Sequence, residues 1–233
     1  MSIYHCSIKI IGRSDGKSAV ASSAYRSGEK LKDDRTGLVH DFTTKRGVVF
    51  TEVALPAHAP PEYADRNVLW NAVEKAEKKS NAQLAREIEV ALPKELSREC
   101  QIEIVRRYVQ NNFVSVGMCA DWALHDKGDV NPHAHIMLTM RGIKPDGTWA
   151  QKEKKIYALD EEGNIPLIDP ATGEQKLGKR NEKLWKRITV ETNDWNDRGN
   201  AEIWRKVWAD ICNEYLSLEQ QIDHRSYKRQ ELD

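Results

Sequence analysis

The chain has 233 residues, with 36 Lys plus Arg against 36 Asp plus Glu, so its formal net charge is zero and it is no indiscriminate coat for nucleic acid. At 39% hydrophobic and 31% charged residues with seven tryptophans it is polar but able to build a core, and 13 glycines and 8 prolines exclude collagen-like and low-complexity classes. No apolar run reaches the ~18 residues of a membrane span, the opening MSIYHCSIKI lacks the regions of a secretory signal, and the scattered Cys6, Cys100, Cys119 and Cys212 form no CxxC pair. A cytoplasmic protein with no membrane insertion is expected.

Residues 3–11 alternate loosely and read as a first strand, followed by a turn over Gly12 to Gly16. Ser18 then caps a short helix of small residues carrying Ala19, Ala21, Ala24 and Tyr25. The stretch 28–46 is polar and irregular, and Val48 to Leu55 is a strand ended by Pro56. A helix is predicted from about Glu62 to Lys79, where Val68, Leu69, Ala72, Val73 and Ala76 recur at helical spacing. Ala85–Leu92 alternates strongly: Ile88, Val90 and Leu92 share one face, Glu87 and Glu89 the other. A helix over roughly 96–113 follows, then strands Gly117–His125 and His133–Met140 joined by the polar loop Asp126–Pro132. The fold class is therefore α+β, with a central, mostly antiparallel five-stranded sheet flanked by helices.

Beyond Arg141 the chain is charged and turn-rich, with a hairpin predicted around Asp160–Gly163 and a turn at Asp169–Gly173. The final third, about 181–221, reads as helical, with Trp185, Trp195, Trp204 and Trp208 as packing anchors. A single domain over 1–233 is expected, with a core of about 1–141 and a helical, charged C-terminal part of about 142–233.

Three of the seven histidines cluster. His133 and His135 are two apart in an apolar run, which on a strand points both to one face. A hairpin through 126–132 sets His125 beside them, since cross-strand Cβ atoms are only ~5 Å apart. Three neutral imidazoles around an open position make a catalytic type of metal site, and imidazole alone does not select among divalent ions. His5, His40, His58 and His224 lack such partners in the sequence. On the neighbouring strand, Glu87 or Glu89 can orient a ligand histidine, accept a proton, or simply face water.

The helix SAVASSAYRSGEKL (18–31) leaves Tyr25 as its only large side chain. Tyrosine can act as a nucleophile, although an isolated one is more often a packing residue. Taken together, SAVASSAYRSGEKL, AREIEVALP (85–93) and His125 followed by NPHAHIMLTMR (131–141) resemble the MobA/MobL family of mobilisation relaxases. These are MOBQ-type His-hydrophobe-His endonucleases, with Ala134 here as the hydrophobe. The resemblance covers at least 1–141 and continues more weakly to IDHRSY near 222–227.

That resemblance implies a relaxase domain that nicks single-stranded DNA at a plasmid origin of transfer. Tyr25 is then the nucleophile, forming a 5′-phosphotyrosine adduct that is later resealed. His125, His133 and His135 are the metal ligands, and Glu87 the active-site acid, with Glu89 on the same face still open. The cofactor implied is a divalent ion, Mg or Mn first, with Zn, Ni or Co as alternatives. Implied partners are origin DNA, a type IV secretion coupling protein and relaxosome accessory proteins. Relaxases of this family are often longer, so the chain is expected to be a catalytic domain from a larger protein.

Local charge supplies DNA contacts that the net charge hides. Residues 1–46 hold nine Lys/Arg against five Asp/Glu, and 176–187 hold six against Glu182 alone. Candidate DNA-binding residues are Lys9, Arg13, Lys17, Arg26, Arg141, Lys144, Lys179 and Arg180, with Trp149, Tyr157 and Trp185 as possible stacking partners for unpaired bases. The alternatives are a rolling-circle replication initiator of the same chemistry, a metal-dependent phosphoesterase with no covalent intermediate, and a DNA-binding module whose histidines only brace a hairpin.

Overall fold

Period-two alternation places the strands, and their register places the site. A computed structural model describes residues 4–128, 131–159, 163 and 177–230. Within them, β1 (Cys6–Gly12) leads to helix α1 (Ala19–Ser27), a small ribbon of β2 (Lys30–Lys32) and β3 (Val39–Asp41), β4 (Val48–Ala54) and α2 (Arg66–Ala76). There follow β5 (Gln83–Ala91), α3 (Arg98–Val109), β6 (Ala120–His125) and β7 (His133–Thr139). The last elements are β8 (Glu153–Tyr157), β9 (Arg187–Glu191) and α4 (Gly199–Asn213).

Five strands form one sheet in the order β1-β5-β7-β6-β4, and every pairing is antiparallel. The predicted α+β class and five-stranded sheet are therefore what the protein has. One face carries Ile88 and Val90 of β5, Trp122 and Leu124 of β6, and Ile136 and Leu138 of β7, all buried. The opposite face carries Ile11, Ala85 and Met137, which form a core with Ala19, Val20 and Ala24 of α1 and Leu69, Trp70 and Val73 of α2. Small side chains let α1 lie close against this face. Ser18 caps it by accepting from Ala21 N at 3.2 Å, and the buried Glu74 carboxylate accepts from Ala19 N at 2.8 Å. Gly28 ends α1 in the left-handed region at φ 69°, where a Cβ would come within 3.1 Å of Val48.

A buried carboxylate ties both covering helices to β6. Asp121 accepts from Ser23 Oγ of α1 at 2.6 Å and from Trp70 Nε1 of α2 at 2.8 Å, and pairs with Arg66 at 3.2 Å. It lies four residues before His125, so both project from the same face of β6.

Several expectations change. The region 28–46 is not wholly irregular, since β2 and β3 pair within it. The stretch 181–221 is not continuously helical: 187–191 is a strand paired with β8, and the helix begins at Gly199. Trp195, Trp204 and Trp208 are buried as anchors, but Trp185 is 36% exposed. The predicted turn at Asp169–Gly173 lies outside the described residues, as does most of the hairpin at Asp160–Gly163. The chain divides into two compact units, Met1–Ala150 with Asp197–Asp233, and Gln151–Asn196. Within the first unit, α4 returns to pack on α3 and β1.

Candidate metal centre and tyrosine site

Register brings the three histidines together. His125 of β6 stands directly opposite His133 of β7, and His135, two residues on, faces Ala123, whose small side chain leaves room for the rings. The ring centroids form a near-equilateral triangle of 5.4, 4.9 and 5.1 Å, and one potential ligand atom from each residue lies within 4.8 Å of the others.

Each imidazole has one nitrogen engaged by an acceptor. His125 Nε2 donates to the Arg26 carbonyl at 2.6 Å, one of the carbonyls that the end of α1 leaves without an intrahelical partner. His133 Nδ1 donates to the Asn131 carbonyl at 2.9 Å, and His135 Nδ1 to Glu87 Oε1 at 2.9 Å. These acceptors assign the ring protons and leave Nδ1 of His125 and Nε2 of His133 and His135 as lone-pair donors. His125 is 6% exposed, and burial, opposed by the Arg26 carbonyl and aided by Lys45 and the other two histidines, pulls its pKa down to about 4. A triad of imidazoles with its outer nitrogens already oriented fits a divalent cation.

Glu87, not Glu89, is hydrogen-bonded to the histidine cluster. Burial pushes the Glu87 carboxyl upward, but hydrogen bonds from His135 and Arg26 outweigh it and hold the group at about 2. Arg26 Nε reaches Glu87 Oε1 at 2.6 Å. Glu89 instead lies 3.5 Å from Lys9 and 3.9 Å from His5. A doubly bonded carboxylate of this kind orients its partners and is a weak proton acceptor.

Tyr25 is 50% exposed near the end of α1, adjacent to Arg26, whose carbonyl meets His125 and whose guanidinium meets Glu87. Phe42 meets its ring edge-on at 5.3 Å, and Lys45 Nζ sits 3.8 Å from the ring centroid. Burial, with Arg26 and Lys127 nearby, lowers the Lys45 ammonium to about 8. Tyr4 is a poor rival for chemistry: its hydroxyl donates to the Arg205 carbonyl at 3.1 Å and burial drives its pKa upward.

The basic residues fall into distinct settings. Lys9, Lys17 and Lys144 are exposed on the first unit, and Lys179 and Arg180 are exposed on the second. Arg13 is otherwise engaged: it donates to the Glu77 carbonyl and to the Lys79 carbonyl at 2.9 Å, and pairs with Glu74 at 2.6 Å, so it caps the end of α2. Arg141 pairs with Glu77 at 2.8 Å and donates to the Ala150 carbonyl. Arg26 is consumed by Glu87 and the Ser22 carbonyl. Trp149 stacks on Tyr63 against the core, whereas Tyr157 is exposed with Arg187 over its ring. His58 contacts the Ile143 carbonyl and His224 pairs with Glu202, both away from the triad.

Comparison with known proteins follows the same lines. The MobA/MobL family profile matches residues 17–233. The chain is 40% identical over its whole length to a Bifidobacterium longum protein named "Probable mobilization protein MobA", and 37% identical to the conjugal transfer protein TraA of Agrobacterium fabrum. It spans 42% of the first relative's length and 20% of the second's. A solved structure described as the molecular basis of vancomycin resistance transfer in Staphylococcus aureus superposes with a TM-score of 0.77 at 27% identity, covering 97% of this chain and all of that one. With the family profile matching residues 17–233 and a mobilisation protein 40% identical over the whole of this chain, the chain belongs to the MobA/MobL family.

Proposed function

We propose that this chain is the DNA-nicking domain of a mobilisation relaxase, acting in conjugative transfer on single-stranded DNA at an origin of transfer. The observation that carries this reading is the junction at Tyr25–Arg26: the end of α1 sets a half-exposed phenol beside a residue bonded to both His125 and Glu87.

His125, His133 and His135 would hold the divalent ion, which when bound supplies Lewis-acid stabilisation of charge on the phosphate oxygens. Glu87 fixes the His135 ring and the Arg26 guanidinium through one carboxylate oxygen. Tyr25 Oη attacks the scissile phosphorus, so that an Oη–P bond forms and the P–O3′ bond breaks. The phenol gives up its proton and the departing O3′ takes one, leaving a 5′-phosphotyrosine and a free 3′ hydroxyl. Bond energy kept in the ester allows the reverse reaction to rejoin the strand. Lys9, Lys17 and Lys144 on the first unit and Lys179 and Arg180 on the second are the cations we assign to the DNA backbone. A coupling protein and accessory proteins of the transfer apparatus are the partners this role requires. No helix among the described residues is long and apolar enough to cross a membrane.

The test is a denaturing gel with end-labelled single-stranded origin DNA. Wild type should give a slow-migrating covalent adduct that needs divalent ion, and Tyr25→Phe none, with DNA affinity nearly intact. Cleavage to free ends with no protein attached would instead mark a metal-dependent phosphoesterase.

A further inference from the structure

An exposed tyrosine at the end of a short helix has several rotamers open to it, yet here its ring is held on two sides. Both contacts come from one turn, residues 42–45, which follows the β2–β3 ribbon. Phe42 packs against the core and presents its ring perpendicular to Tyr25, at an interplanar angle of 87°. Lys45 lies over the Tyr25 ring, and the same ammonium donates to the Tyr25 carbonyl at 2.6 Å. The turn is itself tied down. Phe42 N donates to the Glu29 carbonyl at 3.2 Å, Lys45 N donates to the Phe42 carbonyl at 2.9 Å, and Asp41 accepts from both the amide and the hydroxyl of Thr43. The turn is thus tied to the chain around it and touches Tyr25 through its first and last residues.

We infer that the turn Phe42–Lys45 is a clamp that pre-orients the Tyr25 phenol for attack, with Lys45 as its decisive positioning residue. This rests on Tyr25 being the nucleophile. A tyrosine held near its attack geometry starts the reaction with less orientation to lose, so the clamp acts on the rate of the bound complex and not on DNA affinity. The cation over the ring contributes a contact that Arg preserves and a neutral side chain of similar length does not.

The experiment is single-turnover adduct formation on the single-stranded origin oligonucleotide in Mn²⁺, run from subsaturating to saturating DNA. Lys45→Met should lower the saturating rate roughly tenfold while the Kd for DNA stays within about twofold, and Lys45→Arg should recover most of the rate. Phe42→Leu, a milder change to the same clamp, should shift the rate in the same direction, with thermal melts establishing that both variants fold. A wild-type saturating rate in Lys45→Met, a loss confined to Kd, or failure of Arg to rescue overturns the clamp. Tyr25→Phe run in parallel separates the two claims: full adduct in that variant removes the nucleophile assignment itself, whereas an inactive Tyr25→Phe beside an unimpaired Lys45→Met removes the clamp alone.

Discussion

At the scale of single residues, the ring nitrogens of three histidines do different work at their two ends. One nitrogen of each ring is bonded to a carbonyl or carboxylate, and the three rings bring potential ligand atoms within 4.8 Å of one another. His133→Ala removes one of three donors, so divalent-ion binding measured by calorimetry and DNA cleavage should be lost together. Cleavage that persists in chelator would contradict the assignment. Glu87→Gln keeps the shape but weakens the grip on His135 and Arg26, and should reduce metal affinity by roughly 10- to 100-fold without abolishing the fold. An unchanged metal affinity in that variant would mean that Glu87 serves Arg26 alone.

At the scale of elements, α1 is held at its start, middle and end by side chains from elsewhere: Glu74 at Ala19 N, Asp121 at Ser23, and His125 at the Arg26 carbonyl. Its cap is braced further, because Ser18 Oγ donates to Asp33 at 2.7 Å. Burial pushes the Asp33 carboxyl upward, but the Ser18 hydroxyl, the Thr36 and Arg35 amides and the Arg35 charge together hold it below the usual carboxylate value. A depressed carboxyl stabilises the fold fully above its unfolded value of ~3.9 and loses that contribution as pH falls through the folded value. Asp33→Ala should therefore cost about 1–2 kcal/mol in urea unfolding at pH 7. The gap to wild type should narrow below about pH 4. A gap that widens on acidification would show that the carboxylate does not stabilise the cap.

The sheet was legible in the sequence because Ala85–Leu92 alternates strongly and His133–Met140 is a short apolar run, and the triad because His-x-His spacing and a short hairpin leave little freedom. The ribbon of β2 and β3 was not, since three-residue strands fall below what periodicity can register. Nor was β9, where Ile188, Thr189 and Val190 favour a strand but sit among charged residues and tryptophans that also suit a helix. The choice between Glu87 and Glu89 depends on which cations the folded sheet and α1 bring near each. The same long-range pairing gives Arg13 and Arg141 carboxylate partners, Glu74 and Glu77, that no local spacing reveals. Asp121 could have been suspected from its even spacing with Ala123 and His125 on one face of β6.

At the scale of the whole molecule, a net charge of zero coexists with a DNA-binding proposal because many of the 36 cations are neutralised in place and others stand exposed. This predicts a division of labour among basic residues. Lys17→Gln should reduce the salt slope of single-stranded DNA binding by about 0.7 while leaving unfolding unchanged. Arg141→Gln should leave that slope alone and cost about 1.5–3 kcal/mol in stability, by breaking the charge-assisted bond that Arg141 makes to the buried Glu77. The reverse pattern would place Arg141 on the DNA and Lys17 in the fold.

The central claim is that a phenolic oxygen of α1 carries the cut strand, and the most direct measurement is mass spectrometry of the trapped adduct after trypsin and nuclease digestion. The account predicts the nucleotide remnant on the peptide spanning residues 18–26, bonded to Tyr25. A remnant on the peptide containing Tyr4, or cut DNA with no modified peptide at all, would contradict it.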